Sequence, residues 1–202
     1  MCSPNPEHCG GTGGCEGSTA EIAFDYATKS KGIFQSFNYP YRSYSGKDEL
    51  CIAEMLTEAP VASIDGYKKL PENDYLALMN AIATVGPIAI SVDASTFHSY
   101  QSGIYNGCNQ TNPDINHAVV LVGYGEEKGQ KYWLVRNSWS PSYGEDGYIR
   151  IARSDEDSDK CGMDITPEHG TACAGHEEHV KACGTCGILF DSAYPLNAKS
   201  HK

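Results

Sequence analysis

The sequence predicts an α+β chain in which helical segments come first and strands follow. Three observations predict it. Two segments with capping residues and apolar positions at helical spacing precede Gly86-Pro87. From Ile88 onward the chain reads as runs of β-branched and aromatic residues separated by turns. Within that stretch a Gly-rich, charged turn, Glu126 to Gln130, joins two long apolar runs as an antiparallel hairpin.

The elements follow in order. Residues 1–17 read as a loop, because Pro4, Pro6 and five glycines forbid regular structure. Ser18-Thr19-Ala20-Glu21 is a capping-box pattern that opens a helix with Ile22, Ala23, Tyr26 and Ala27 on one face and Gly32 at its end. Asn38-Tyr39-Pro40-Tyr41 is a turn, and the residues from Cys51 to about Tyr67 alternate loosely. Glu72-Asn73-Asp74 caps a second helix carrying Tyr75, Leu76, Met79, Ile82 and Ala83, which Gly86-Pro87 stops. Strand Ile88 to Asp93, the short segment Phe97 to Tyr105, the hairpin and strand Gly147 to Ala152 complete the pattern. A boundary near Lys68 divides a helical part, 1–67, from a strand part, 68–202. A long insertion, 154–182, rich in Asp, Gly, His and Cys, follows the last of these strands.

The hairpin carries the chemistry. His117 starts its first strand (HAVVLVGYG) and Asn137 ends its second (KYWLVRN). Side by side, the Asn137 carbonyl accepts from one imidazole nitrogen, which fixes the tautomer and turns the other nitrogen outward. A general base acting on a thiol or hydroxyl requires that arrangement. A histidine satisfied within the core is the plainer alternative.

Composition narrows the class. A chain of 202 residues, 40% hydrophobic and 10% aromatic, is enough for a packed core. Fifteen Lys and Arg against 26 Asp and Glu give a net charge of −11, with an acidic run at Asp155-Glu156-Asp157 and Asp159, so phosphate backbones are repelled and nucleic acid is excluded as a partner. Nine cysteines and the sequon Asn109-Gln110-Thr111 point to an oxidising compartment. No apolar run of about 18 residues is present to span a membrane, and Met1 is followed by no signal-peptide pattern.

The wording of both hairpin strands, with GEDGYIRI behind them, resembles the papain-like, cathepsin L-like cysteine peptidases. So do CEGSTAEIAFDYA, ATVGPIAISVDA and CGILFDSAYP, in the family's order over nearly the whole chain. The resemblance implies a papain-like fold, a partial helical left domain beside an antiparallel β-barrel right domain. It makes His117 the base, Asn137 its orienter and Trp139 the shield of their bond. It also implies substrate contacts at Gly17 and Ser18, whose backbone pairs with a peptide strand, although a plain N-cap serine is the alternative for Ser18. Asn116 flanks the base. Tyr143 stands where the family usually has Trp, walling the leaving-group side. Asp191 falls at the floor of the S2 pocket, with Thr19, Ala20, Ile115 and Ala118 as walls; an acid there favours Arg as well as Phe, unless Asp191 turns outward as a surface acid. Family bonding pairs Cys2 with Cys51 and Cys108 with Cys186, and orphans Cys15.

The family's nucleophile segment, Cys-Gly-Ser/Ala-Cys-Trp/Tyr with its upstream glutamine, is absent: none of Cys2, Cys9, Cys15, Cys51 or Cys108 sits in one. Cys183-Gly184-Thr185-Cys186 imitates it but lies after His117 and has Gly187 in place of the aromatic. The reading is therefore a cysteine endopeptidase chain truncated ahead of Met1, inactive as written, whose full-length form is lysosomal, vacuolar or secreted. Its partners are a peptide or protein substrate, and the missing N-terminal segment or a protein inhibitor; no cofactor or metal is expected. Two alternatives stay open: a non-catalytic pseudopeptidase that binds peptides or a partner, and a zinc knuckle built from Cys161, Cys173, Cys183 and Cys186 with His169, His176 and His179. Disulfides in a surface loop are the plainer reading of those cysteines.

Overall fold

The computed structural model describes residues 2–30, 32–175 and 178–201. Its elements in chain order are α1 (Ala20–Lys29), β1 (Ala62–Ser63), β2 (Gly66–Lys69), α2 (Tyr75–Thr84), β3 (Ile88–Val92), β4 (Ile104–Tyr105), β5 (His117–Glu127), β6 (Gln130–Arg136), β7 (Tyr148–Ala152), β8 (Cys161–Asp164), β9 (Val180–Cys183), β10 (Ser192–Leu196) and β11 (Lys199–Ser200). Among the described residues, seven strands form one sheet in the order β2-β10-β3-β5-β6-β7-β4. Every pairing in it is antiparallel except that of β4 with β7.

Alternation explains the strands. Trp133 and Val135 of β6 and Ile149 and Ile151 of β7 are fully buried, while their neighbours along each strand reach the surface. β3 is different: Ile88, Ile90 and Val92 face the core, and Ser91 is buried on the opposite face. β5 and β6 pair along the hairpin, with a register shift between Leu121 and Gly123 that bends the longer strand.

Both helices lie where the sequence placed them, with different detail. α1 is capped by Thr19, not Ser18: the Thr19 hydroxyl accepts from the Ile22 N–H at 3.5 Å. Glu21 is thereby the second helical residue, so it cannot close a capping box, and its carboxylate turns to Lys69 instead. The helix ends at Lys29, before Gly32. Asp74 caps α2 by accepting from the Ala77 N–H at 2.9 Å. The buried face of α2 is Tyr75, Leu78, Ala81 and Ile82, while Leu76 is 67% exposed.

The insertion is not a plain surface loop. β8 and β9 pair as a two-stranded ribbon, joined across its end by the Cys161–Cys183 disulfide. Asp164 at the end of β8 is fully buried, and its two oxygens accept from the Ile115 and Thr166 N–H groups at 3.1 and 2.9 Å. Burial raises its pKa above the ordinary carboxylate range. Asp157 of the acidic run is also buried, accepting from the Ser154 N–H. Three further disulfides join Cys2 to Cys51, Cys9 to Cys173 and Cys108 to Cys186. Among the described residues Cys15 is the free cysteine. With Cys161, Cys173, Cys183 and Cys186 all oxidised, no thiolate remains for the zinc alternative; His176 of that set lies outside the described residues.

Candidate active site

The first residue of β5 and the residue just after β6 meet at one end of the hairpin. His117 Nε2 and Asn137 Oδ1 are 2.9 Å apart, so Nε2 carries the proton and Nδ1 is left for the cleft. Asn137 Oδ1 also accepts from the Ser138 N–H at 2.7 Å, which holds the amide plane in place. Asn137 is 8% exposed, and its Nδ2 finds no acceptor in bonding geometry. An unpaired buried amide costs on the order of 1–3 kcal/mol, which the sheet around it must offset.

Aromatic rings cover this pair. The Trp139 and His117 rings lie 5.0 Å apart, tilted by 37°, and Tyr143 meets Trp139 edge-on at 5.3 Å. Phe97, fully buried, supports Trp139 from below at 6.5 Å, and its carbonyl accepts from the Tyr143 hydroxyl at 3.1 Å. Phe97 has no chemistry of its own, which is why a search for reactive side chains passes it over. Trp139 remains 40% exposed, so the cover has a wet outer side.

Burial pushes the Tyr143 pKa up to about 12, against a smaller pull in the other direction from the Asn137 amide. The folded chain thus keeps a proton that the unfolded chain releases near pH 10. Stability from this group is complete below about pH 10 and is lost as pH rises toward 12. Urea midpoints measured across that range should fall, and Tyr143→Phe should flatten the fall. An equal slope in the variant would show that Tyr143 is not its source.

His117 opens onto a cleft of about 420 Å³ whose other bank is the loop before α1. Gly17 and Ser18 line it opposite Asn116, His117 and Ala118. Gly17 has a φ of 97°, and a Cβ there would stand 2.7 Å from the Gly10 carbonyl oxygen, so only glycine suits the position. Asn116 is fixed by the Ala94 N–H, Ser95 Oγ and Asp114 Oδ2. Cys15 lines the same cleft, but a hydrogen bond to Asp48 raises its pKa, which favours the thiol.

The expected S2 pocket is built otherwise. Ile115 is fully buried, and Gly170 of the insertion sits so close that a Cβ on it would be 1.9 Å from the Ile115 carbonyl oxygen. Asp191 is neither an open acid at a pocket floor nor a surface acid: it is 3% exposed. Its Oδ2 accepts from the Ser91 hydroxyl at 2.7 Å. Its Oδ1 has the Lys69 ammonium at 3.0 Å, as an ion pair out of line for a hydrogen bond. Lys69 also lies 3.5 Å from Glu21 of α1. Asp191 is thus buried and partnered within its own chain. Nothing in the sequence marked Lys69 or Ser91, because each is distant in the chain from Asp191.

Comparison with known proteins shows the family. The family model "Papain family cysteine protease" matches residues 2–171. The chain is 42% identical over 189 residues to the KDEL-tailed cysteine endopeptidase CEP2 of Arabidopsis thaliana, covering 93% of this chain and 44% of that protein. It is 40% identical over 152 residues to cathepsin K of Mus musculus, covering 74% and 44%. The solved structure of the bromelain protease from Ananas comosus superposes with a TM-score of 0.66 at 33% identity, over 89% of this chain and 70% of that one. The chain belongs to the papain family of cysteine proteases. It spans less than half the length of the two curated relatives named here.

Proposed function

We propose that this chain supplies the base-bearing half of a papain-type cysteine endopeptidase, with the nucleophilic cysteine contributed by residues outside it. The observation that carries the reading is the 2.9 Å contact between His117 Nε2 and Asn137 Oδ1 beneath Trp139. In this reading residues 1–67 are the remnant of the helical side and residues 68–202 the strand side. His117 Nδ1 takes the thiol proton, the thiolate attacks the peptide carbonyl, and His117 returns the proton to the leaving amine. Water then hydrolyses the acyl-enzyme with His117 again as base. The substrate is a peptide lying along Gly17 and Ser18, with Trp139 and Tyr143 bordering its leaving-group side. Four disulfides fit a protein that works in an oxidising compartment, secreted or vacuolar.

The chain alone has no activated thiol, so no acyl-enzyme can form. The test incubates it with fluorogenic Gly-Arg and Phe-Arg amides and a thiol-directed epoxide. The same assay follows co-refolding with a segment carrying the glutamine and Cys-Gly-Ser-Cys-Trp. No turnover is expected alone, and epoxide-sensitive turnover is expected with the segment. Epoxide-sensitive turnover by the chain alone would refute the division of labour.

A further inference from the structure

The cleft beside His117 is lined in part by His169 and Gly170 of the insertion. We infer that the segment 166–174 is a pinned strap that fills the space a bulky side chain would need, so that the cleft selects a small residue at the second position before the scissile bond. This rests on the cleft being the peptide groove, as proposed above.

The strap is anchored at both ends. At its start, Asp164 accepts from both the Ile115 and Thr166 N–H groups, and the Thr166 hydroxyl donates to Asp114. At its far end, the Cys9–Cys173 disulfide ties it to the opposite bank. Around that disulfide the Gly10 N–H donates to the Ala172 carbonyl at 2.9 Å and the Ala174 N–H to the Glu7 carbonyl at 3.0 Å. A covalent bond holds the segment at its far end and side-chain hydrogen bonds hold it at its start.

Between its anchors the strap is wedged. On one bank Gly170 abuts Ile115 and Asn116; on the other, a Cβ on Gly10 would stand 2.6 Å from the Gly170 carbonyl oxygen and 3.0 Å from Thr19 Cγ2. Ile115 and Thr19 are two of the residues expected to wall an open S2 pocket, and strap backbone now lies between their banks. His169 continues the strap along the cleft, with Nδ1 3.4 Å from Asp114 Oδ1. A substrate paired with Ser18 would direct its second side chain at His169 and Gly170. Glycine, alanine or serine fits there; leucine or phenylalanine meets fixed backbone, and close-packed backbone does not yield as a flexible side chain does.

The test needs no nucleophile. Acetyl-Gly-Arg-amide and acetyl-Leu-Arg-amide are titrated into the chain, following the backbone amide signals of Ser18, Ala118 and His169 by NMR. The glycine peptide should bind about tenfold more tightly. His169→Ala, which leaves the disulfide in place, should narrow the difference, and Cys9→Ser with Cys173→Ser should remove it. Equal or tighter binding of the leucine peptide by the parent chain overturns the strap as a selector while leaving the peptide groove standing. Absence of any shift with either peptide overturns both. Should the double serine variant fail to fold, the parent comparison and His169→Ala decide.

Discussion

Replacing His117 by alanine in an enzyme completed with a nucleophile segment should lower kcat/KM for peptide hydrolysis by about four orders of magnitude or more. In the proposed mechanism the His117 imidazole takes the thiol proton and returns it to the amine. Asn137→Ala should cost far less, about a hundredfold, since Asn137 touches no reacting atom and only holds the ring through the 2.9 Å contact. The two variants separate a catalytic from a positioning residue. His117→Ala should stay inactive at every pH, whereas Asn137→Ala should keep a measurable rate with a displaced pH profile. Because Asn137 is 8% exposed and also serves the Ser138 N–H, its variant should unfold at lower urea concentration as well. Activity of His117→Ala within tenfold of the parent would remove His117 from the mechanism.

Lys69→Met should destabilise the fold at the sheet edge. Lys69 on β2 is shared by Asp191, Glu21 and Glu72, at 3.0, 3.5 and 3.9 Å. It thereby links α1 to the sheet at the start of β10. Without it, the Glu21 and buried Asp191 carboxylates lose the cation they share, and among the described residues the Ser91 hydroxyl remains as the donor to Asp191. The cost is about 2 kcal/mol, below that of a fully enclosed pair because water reaches the lysine.

The effect depends on pH with a definite sign. Burial first, and the Asp191 charge second, hold the Glu21 pKa above the ordinary carboxylate range. A carboxyl with a raised folded pKa contributes stability that is complete at acid pH and is lost as pH rises through that pKa. Removing the lysine strengthens this trend, so the deficit of Lys69→Met should be larger at pH 7 than at pH 5. Asp191→Asn added to Lys69→Met should recover most of it, as urea midpoints would show. In the completed enzyme, Asp191→Ala should leave the preference between Phe-Arg and Arg-Arg substrates unchanged. A lost Arg-Arg preference would instead return Asp191 to the substrate pocket.

What the sequence alone determined about this protein is local in the chain or joined through one turn. His117 and Asn137 end the two arms of a single hairpin, so alternation and turn chemistry suffice to bring them together. The cap at Asp74 and the stop at Gly86-Pro87 are likewise written in neighbouring residues. The N-cap at Thr19 was missed by one position because Ser18 and Thr19 are chemically equivalent candidates, and contacts of Glu21 with Lys69 settle the register. Only the tertiary structure decided the partners of Asp191 and the course of the insertion. Asp191 lies against Lys69 and Ser91, each far from it in the chain. Cys9 and Cys173, 164 residues apart, carry no mark of each other, yet their bond draws the strap across the cleft. Such pairings depend on which surfaces the finished sheet leaves adjacent, and no periodicity of 2 or 3.6 residues encodes that.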